Sequence, residues 1–276
     1  GLERPKIIST NGGMLFNFQD GGNADQDGGY LVTNLILESA VTSTSAGIFL
    51  YNDVDDLIIR NVKIDGFRIG FHSSGTNALN VGSNKQNEHI VFENNQIINN
   101  SSQGWLGSCS DCEISSNLFE NNGYERAVLD HNFYFAGKEA VNVSITNNTL
   151  RKSTHIDGLC QGVSMVMHGV VKNIIIENNV IEEEVNKAKG GCWGIAVDAG
   201  YPKVDESFVN LVIRGNTVIN AGGQGIGCSS CVDVLIENNV IINEHDVDYF
   251  TGVVVPNRGE DTLKSSGIEI KNNEVI

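Results

Sequence analysis

The densest collection of reactive side chains lies between positions 125 and 168: Glu125, Arg126, Asp130, His131, Tyr134, Lys138, His155, Asp157 and His168. An imidazole, a phenol and flexible cations in one stretch suit removal of a proton beside a carboxylate. His131 or Lys138 would act as base and Tyr134 as the acid that protonates a leaving oxygen, with Arg126 or Lys138 neutralising the carboxylate. His155, Asp157 and His168 would bring further acid and base groups to the same place. A second chemistry, hydrolysis between two carboxyls, would draw on Asp130, Asp157 and Asp198.

These residues come together only if the chain folds back on itself regularly, and a repeat provides that. The unit apolar, any, any, Asn, any, apolar reads Phe92-Glu93-Asn94-Asn95-Gln96-Ile97 and recurs around Asn117, Asn148, Asn179, Asn216, Asn239 and Asn273. Two earlier copies carry Leu35 and Val62 at the Asn slot, and a one-residue shift would put Asn61 there. The shortest spacings, Asn95 to Asn117 and Asn216 to Asn239, mark a bare unit, and the longer ones carry loops. Apolar residues alternate over four to six positions without a sustained helical period, so the elements are strands. The 31 glycines and 3 prolines fit a chain of tight turns. Short strands repeating near this period describe a solenoid of about nine coils, roughly 40 Å long at about 4.8 Å per coil. The fold class is therefore all-β, a right-handed parallel β-helix in a single domain over 1–276, with both ends of the chain looking trimmed. Asn at the slot tolerates the left-handed backbone of a sharp turn, and stacked copies can pass amide hydrogen bonds from coil to coil.

A second strand precedes each Asn strand and aligns on Gly47, Gly104, Asn132, Gly162, Gly194, Gly225 and Gly252. Alternation turns the first and third residues after this position inward. The residue before it would then form an outward row of Gln103, His131, Gln161, Trp193, Gln224 and Thr251, with Tyr134, Ser164 and Asp198 farther along. Tyr201 lies just beyond. Amide, indole and phenol groups in one column are suited to an extended chain of sugars, the planar rings stacking on sugar faces and the amides binding hydroxyls. The Asn strand carries a different outward row, Arg60, Glu93, Ser115, Thr146, Glu177, Arg214, Glu237 and Lys271, which reads as a surface charge ladder.

Six cysteines include Cys109-Ser110-Asp111-Cys112 and Cys228-Ser229-Ser230-Cys231. These pairs fall four coils apart, nearly 20 Å at about 4.8 Å per coil, so they cannot share one zinc ion. Cys160 and Cys192 occupy equivalent places on adjacent coils and are read as a buried thiol stack, a disulfide being the alternative. No metal is assigned. Calcium is the one cofactor with candidate ligands, in Glu182-Glu183-Glu184 or in the loop from Asp20 to Asp27, although neither has an EF-hand spacing.

The 18 basic and 34 acidic residues leave a formal charge of −16, which argues against nucleic acid and anionic lipid as partners. No apolar run is long enough to span a membrane. From about Gly29 to Ile276 the Asn ladder and coil length resemble the pectate-lyase-like superfamily of right-handed β-helices. The resemblance implies a polysaccharide partner, an extracellular, secreted or virion-surface location, and a monomer or homotrimer. That superfamily holds polysaccharide lyases, glycoside hydrolases, epimerases, esterases and phage tailspikes, so the resemblance is specific for fold and broad for activity. The chain departs from two of its catalytic signatures. The Asn-Thr-Asp and Asp-Asp signatures of polygalacturonase-like hydrolases are absent, and so is the Asp-Pro-His-Asp signature of mannuronan epimerases, with Leu129-Asp130-His131-Asn132 near the comparable chemistry. The expected activity is cleavage of a polysaccharide by β-elimination. Hydrolysis by Asp130, Asp157 and Asp198, or binding without cleavage, are the alternatives.

Overall fold

A computed structural model describes residues 4–19, 28–51, 53–74, 86–198, 205–246, 249–256 and 263–276. Among them there is no helix, and the strands pair in parallel apart from one antiparallel hairpin, His155–Ile156 with Leu159–Cys160. The chain winds through three walls in fixed order. Wall 1 includes Ala46–Leu50, Gln103–Gly107 and Trp193–Val197. Wall 2 includes Leu57–Arg60, Cys112–Ser115 and Ser207–Arg214, and wall 3 includes Lys63–Asp65, Leu118–Glu120 and Thr217–Ile219. Each strand pairs with its counterpart one coil on, as Gln103 does with His131, Cys112 with Val143 and Leu118 with Thr149. Ten described strands stack in wall 3, from Lys6–Ser9 to Glu274–Val275. This is the parallel β-helix that the repeat predicts.

Alternation decides which residues face in. In Leu57–Arg60, Leu57 and Ile59 are fully buried while Ile58 and Arg60 turn outward. Large rings fill part of the interior, Trp105 lying between Phe71 and Phe133 at centroid distances of 4.4 and 5.5 Å. The outward charge ladder of wall 2 is present as read, with Arg60–Glu93 at 3.3 Å, Arg214–Glu177 at 2.9 Å and Lys271–Glu237 at 3.6 Å.

The Asn pairs divide two tasks that the sequence reading assigned to one residue. The left-handed backbone belongs to the first member: φ is 54° at Asn94, 57° at Asn147 and 55° at Asn178, with Ser116 and Gly215 in the same place on their coils. The second member is buried and carries the hydrogen bonds. Asn148 Oδ1 accepts from Asn117 N at 3.0 Å and Asn117 Nδ2 at 2.9 Å, while Asn148 Nδ2 donates to Ile114 O at 2.8 Å. The same pattern runs on through Asn179, Asn216, Asn239 and Asn273. Backbone N–H groups at this turn cannot reach water, and the amide column satisfies them. A second column, which the repeat did not reveal, serves the turn from wall 3 to wall 1. There Phe67 N donates to Asn100, Asn100 N to Asn122, Asn122 N to Asn132, Asn132 N to Ser153 Oγ, and Ser153 N to Glu183.

Two long strands, His131–Thr146 and Met165–Glu177, pass without a break from wall 1 into wall 2 and join those walls into one 16-stranded sheet. Their pairing shifts register between Gly137 and Ala140, which marks the corner.

Candidate functional site

The observed register corrects the alignment of wall 1. Phe133 pairs with Met165 and Tyr134 with Val166, two residues later than an alignment on Gly162 places them. The hairpin at 155–160 absorbs the difference. Val163 and not Gln161 therefore stands beside His131, with Val163 O 2.9 Å from His131 Nδ1. Gln161 lies in the hairpin's exit, its Nε2 donating to Ile156 O at 2.9 Å and its Oε1 accepting from Lys189 Nζ at 3.2 Å. Ser164 is buried in the Gly position, its Oγ without a hydrogen-bond partner.

This face is also less open than a polar row would make it. Tyr134, Ala136, Val163, Val166 and Ala196 form a second apolar cluster outside the main core, with Leu106 and Trp193 packed against it. His131 is 4% exposed and stacks on Tyr134 with ring centroids 5.4 Å apart. Burial drives its pKa down to about 3, against the opposing pull of its bond to Val163. His131 is thus a neutral, buried ring whose Nδ1–H donates to Val163 O, which removes it as the exposed base. Gln103 is buried beside it, accepting from His131 N at 2.9 Å and donating to Leu129 O at 3.0 Å. Asp130 is fully buried and held by Arg126 at 2.7 and 3.2 Å and by Ser102 Oγ at 2.9 Å. That pair is structural and takes both Arg126 and Asp130 out of the expected chemistry. Asp157 sits at the exposed hairpin tip, where Asp157 and Gly158 both have positive φ. The three carboxyls expected for hydrolysis are therefore not drawn into one place. Trp193 and Gln224 pair on adjacent coils and are half-buried, the Trp193 indole donating to Gly190 O at 2.8 Å. Tyr201 and the loop 20–27 lie outside the described residues.

A different group converges where wall 1 bends into wall 2. His168 Nδ1 stands 3.1 Å from Glu206 Oε1, an oxygen that also accepts from Gly169 N at 2.8 Å. Glu206 is 2% exposed. The Tyr134 ring lies 5.4 Å from the His168 ring on the coil before, and Lys138 is exposed next to Gly137, which pairs with Gly169. Asp198 follows on the next coil, its N–H donating to Met167 O at 3.0 Å and its Oδ1 accepting from Ser229 Oγ at 3.0 Å. Tyr134, Lys138, His168 and Asp198 are thus brought to one corner. Glu206 joins them unannounced, because only the pairing of Val170 with Ser207 sets it beside Gly169.

Two other sites stand out. Glu183, read from sequence as part of a solvated acidic loop, turns inward and is 3% exposed. His155 Nε2 is 2.6 Å from its Oε2, and Ser153 N donates to Oε1 at 2.8 Å. Burial raises its pKa, opposed by the bonds from His155 and Ser153. Beside it Cys160 and Cys192 form a disulfide, which replaces the expected thiol stack: Cys160 pairs with Ala188 across the coils, and the turn that follows returns Cys192 to a Cα distance of 5.5 Å, within bridging range. Cys109–Cys112 and Cys228–Cys231 each close on themselves as disulfides. On the outside of wall 2, a trough of about 790 Å³ bounded by Asp56, Ile58, His89, Val91, Asp111, Glu113 and Asn142 continues into one of about 350 Å³ between Asn142, Asn173, Ile175, Asn210 and Val212. An exposed ladder edges it, Asn142 donating to Asp111 at 2.6 Å, Asn173 to Asn142 at 2.9 Å and Asn210 to Asn173 at 2.9 Å.

No family model matches the sequence, and no curated protein does. Among solved structures, the Dettilon tailspike protein is similar over 99% of this chain and 54% of its own, with a TM-score of 0.58 at 14% identity. Weaker likenesses are the Agl-KA catalytic domain, covering 89% of this chain and 52% of its own at 12% identity and TM-score 0.44, and tailspike protein 2 from Escherichia coli O157:H7 bacteriophage CAB120, covering 99% and 38% at 13% identity and TM-score 0.41. The chain spans about half the length of the Dettilon tailspike. The likeness is one of fold alone, the parallel β-helix to which the Asn repeat pointed. No helix among the described residues is long and apolar enough to cross a membrane.

Proposed function

We propose that the chain binds a uronate-containing polysaccharide and cleaves it by β-elimination at the corner of Tyr134, Lys138, His168 and Glu206, outside a cell or on a virion surface. The pairing of His168 with Glu206 carries this reading. A carboxylate that accepts the Nδ1–H leaves the basic lone pair on Nε2, the arrangement that orients an imidazole as general base. In the reaction His168 Nε2 takes the proton beside the uronate carboxyl, and the freed electron pair forms the ring double bond. The glycosidic oxygen departs with a proton from the Tyr134 hydroxyl, whose ring, 6% exposed, must turn outward from its apolar cluster to deliver it. The Lys138 ammonium neutralises the uronate carboxylate, and Asp198 receives sugar hydroxyls one coil away. The likeness in fold to the Dettilon tailspike supports a long carbohydrate partner. Three disulfides suit an oxidising exterior.

The test is incubation with a panel of uronate polysaccharides, following the ultraviolet absorbance of the new double bond. A rise that His168→Ala abolishes is expected. Reducing ends appearing without that absorbance would establish hydrolysis and overturn elimination. A second reading, binding without cleavage, is favoured by the wall 2 trough with its apolar floor and amide edge. It predicts retained glycan affinity with neither product signal.

A further inference from the structure

Glu183 is a costly residue to place where it is. Its carboxyl is buried against two sulfurs that, as a disulfide, give it neither a hydrogen-bond donor nor a charge. The ligand-capable atoms of Cys160, Glu183 and Cys192 all lie within 4.8 Å of one another. The three residues are 0%, 3% and 1% exposed. They come from separate segments that the stacking of coils brings together, and the carboxylate is aimed by His155 at 2.6 Å and by Ser153 N at 2.8 Å. Two thiolates and a carboxylate, with an imidazole ordering the carboxylate from behind, form a donor set for a soft-to-borderline divalent cation such as zinc, not for calcium or magnesium.

We propose that the Cys160–Cys192 disulfide is the oxidised form of a buried zinc-type site, and that reduction opens it to a cation held by Cys160, Cys192 and Glu183. The exchange balances. A dithiol reductant supplies two electrons and two protons, the disulfide opens to two thiols, and the reductant closes to its own disulfide. The divalent cation then displaces both thiol protons and binds two thiolates and the Glu183 carboxylate. His155 is a positioning residue. The inference is independent of the elimination chemistry, which uses a different corner.

The full chain, reduced with a phosphine and freed of excess reductant without oxygen, is titrated with cobalt(II) as the spectroscopic stand-in for zinc. Reduced protein is expected to develop a thiolate-to-cobalt charge-transfer band, and oxidised protein none. The double variant Cys160→Ser/Cys192→Ser should lose that band although the other four cysteines remain. Glu183→Gln, which keeps both thiols and the acceptor for Ser153, should bind about tenfold more weakly or worse. Circular dichroism checks that each variant is folded, and zinc should raise the thermal midpoint of reduced wild type far more than that of Glu183→Gln. Absence of the band in reduced wild type, its survival in the double variant, or unchanged affinity in Glu183→Gln would each overturn the proposal.

Discussion

Glu206 Oε1 lies 3.1 Å from His168 Nδ1 across 38 residues of sequence, and the same oxygen is pinned by Gly169 N at 2.8 Å. The carboxylate therefore has one position, and the imidazole is turned by it. On the proposed reaction His168→Ala should remove elimination activity. Glu206→Gln should lower kcat about a hundredfold with little change in KM, because it alters the tautomer and leaves the substrate surface alone. Steady-state kinetics by product absorbance checks both, and equal loss in KM and kcat would point to a collapsed corner instead.

Acid should destabilise the fold through His131. Its folded pKa of about 3 lies below the ordinary value of 6.5, so the unfolded chain binds the extra proton first. Stability is complete above about pH 6.5 and is lost as pH falls toward 3, by an amount on the order of 5 kcal/mol over the whole interval. His72, held near 4 by burial, adds in the same direction. Urea unfolding at neutral pH and near pH 4.5 should show a smaller drop for His131→Phe than for wild type. An equal drop would assign the acid sensitivity to other groups.

Neighbouring asparagines should behave oppositely. Asn148→Ala strands Asn117 N and Ile114 O in the interior and should cost about 3 kcal/mol or more. Asn147→Gly keeps the positive φ at no steric expense and should be nearly neutral, whereas Asn147→Val should cost about 1–2 kcal/mol. Denaturant midpoints separate the three.

Burial, more than charge, should dominate elsewhere. Trp105→Ala removes the ring between Phe71 and Phe133 and should cost about 3–5 kcal/mol. Arg214→Ala breaks an exposed pair with Glu177 and should leave stability nearly unchanged. Thermal melts at low and high salt check the contrast, since only the Arg214 pair is open to screening.

The wall pattern and the charge ladder were legible because both follow from the period of two and the recurring Asn pair, which are local properties of the chain. The candidate corner was legible only in part. Tyr134, Lys138, His168 and Asp198, which the fold brings together, were among the residues singled out, yet His131 and Arg126 were ranked beside them, since nothing in a sequence distinguishes an exposed imidazole from one sealed under an apolar cluster. The register of Gln161 failed for a related reason. The hairpin 155–160 inserts an even number of extra positions, so the inward and outward alternation survives a slip of two and gives no warning. Glu183 was misread because a run of three acids looks solvated until one of them is seen to end a hydrogen-bond column.

The uninterrupted passage of His131–Thr146 and Met165–Glu177 around the corner has a mechanical consequence. Elsewhere each coil changes direction through a turn that can open on its own, and a solenoid frays coil by coil from its ends. At these two levels the backbone ladder crosses from one wall to the next, so opening one wall must peel the other. Amide exchange should accordingly be slowest across this middle band.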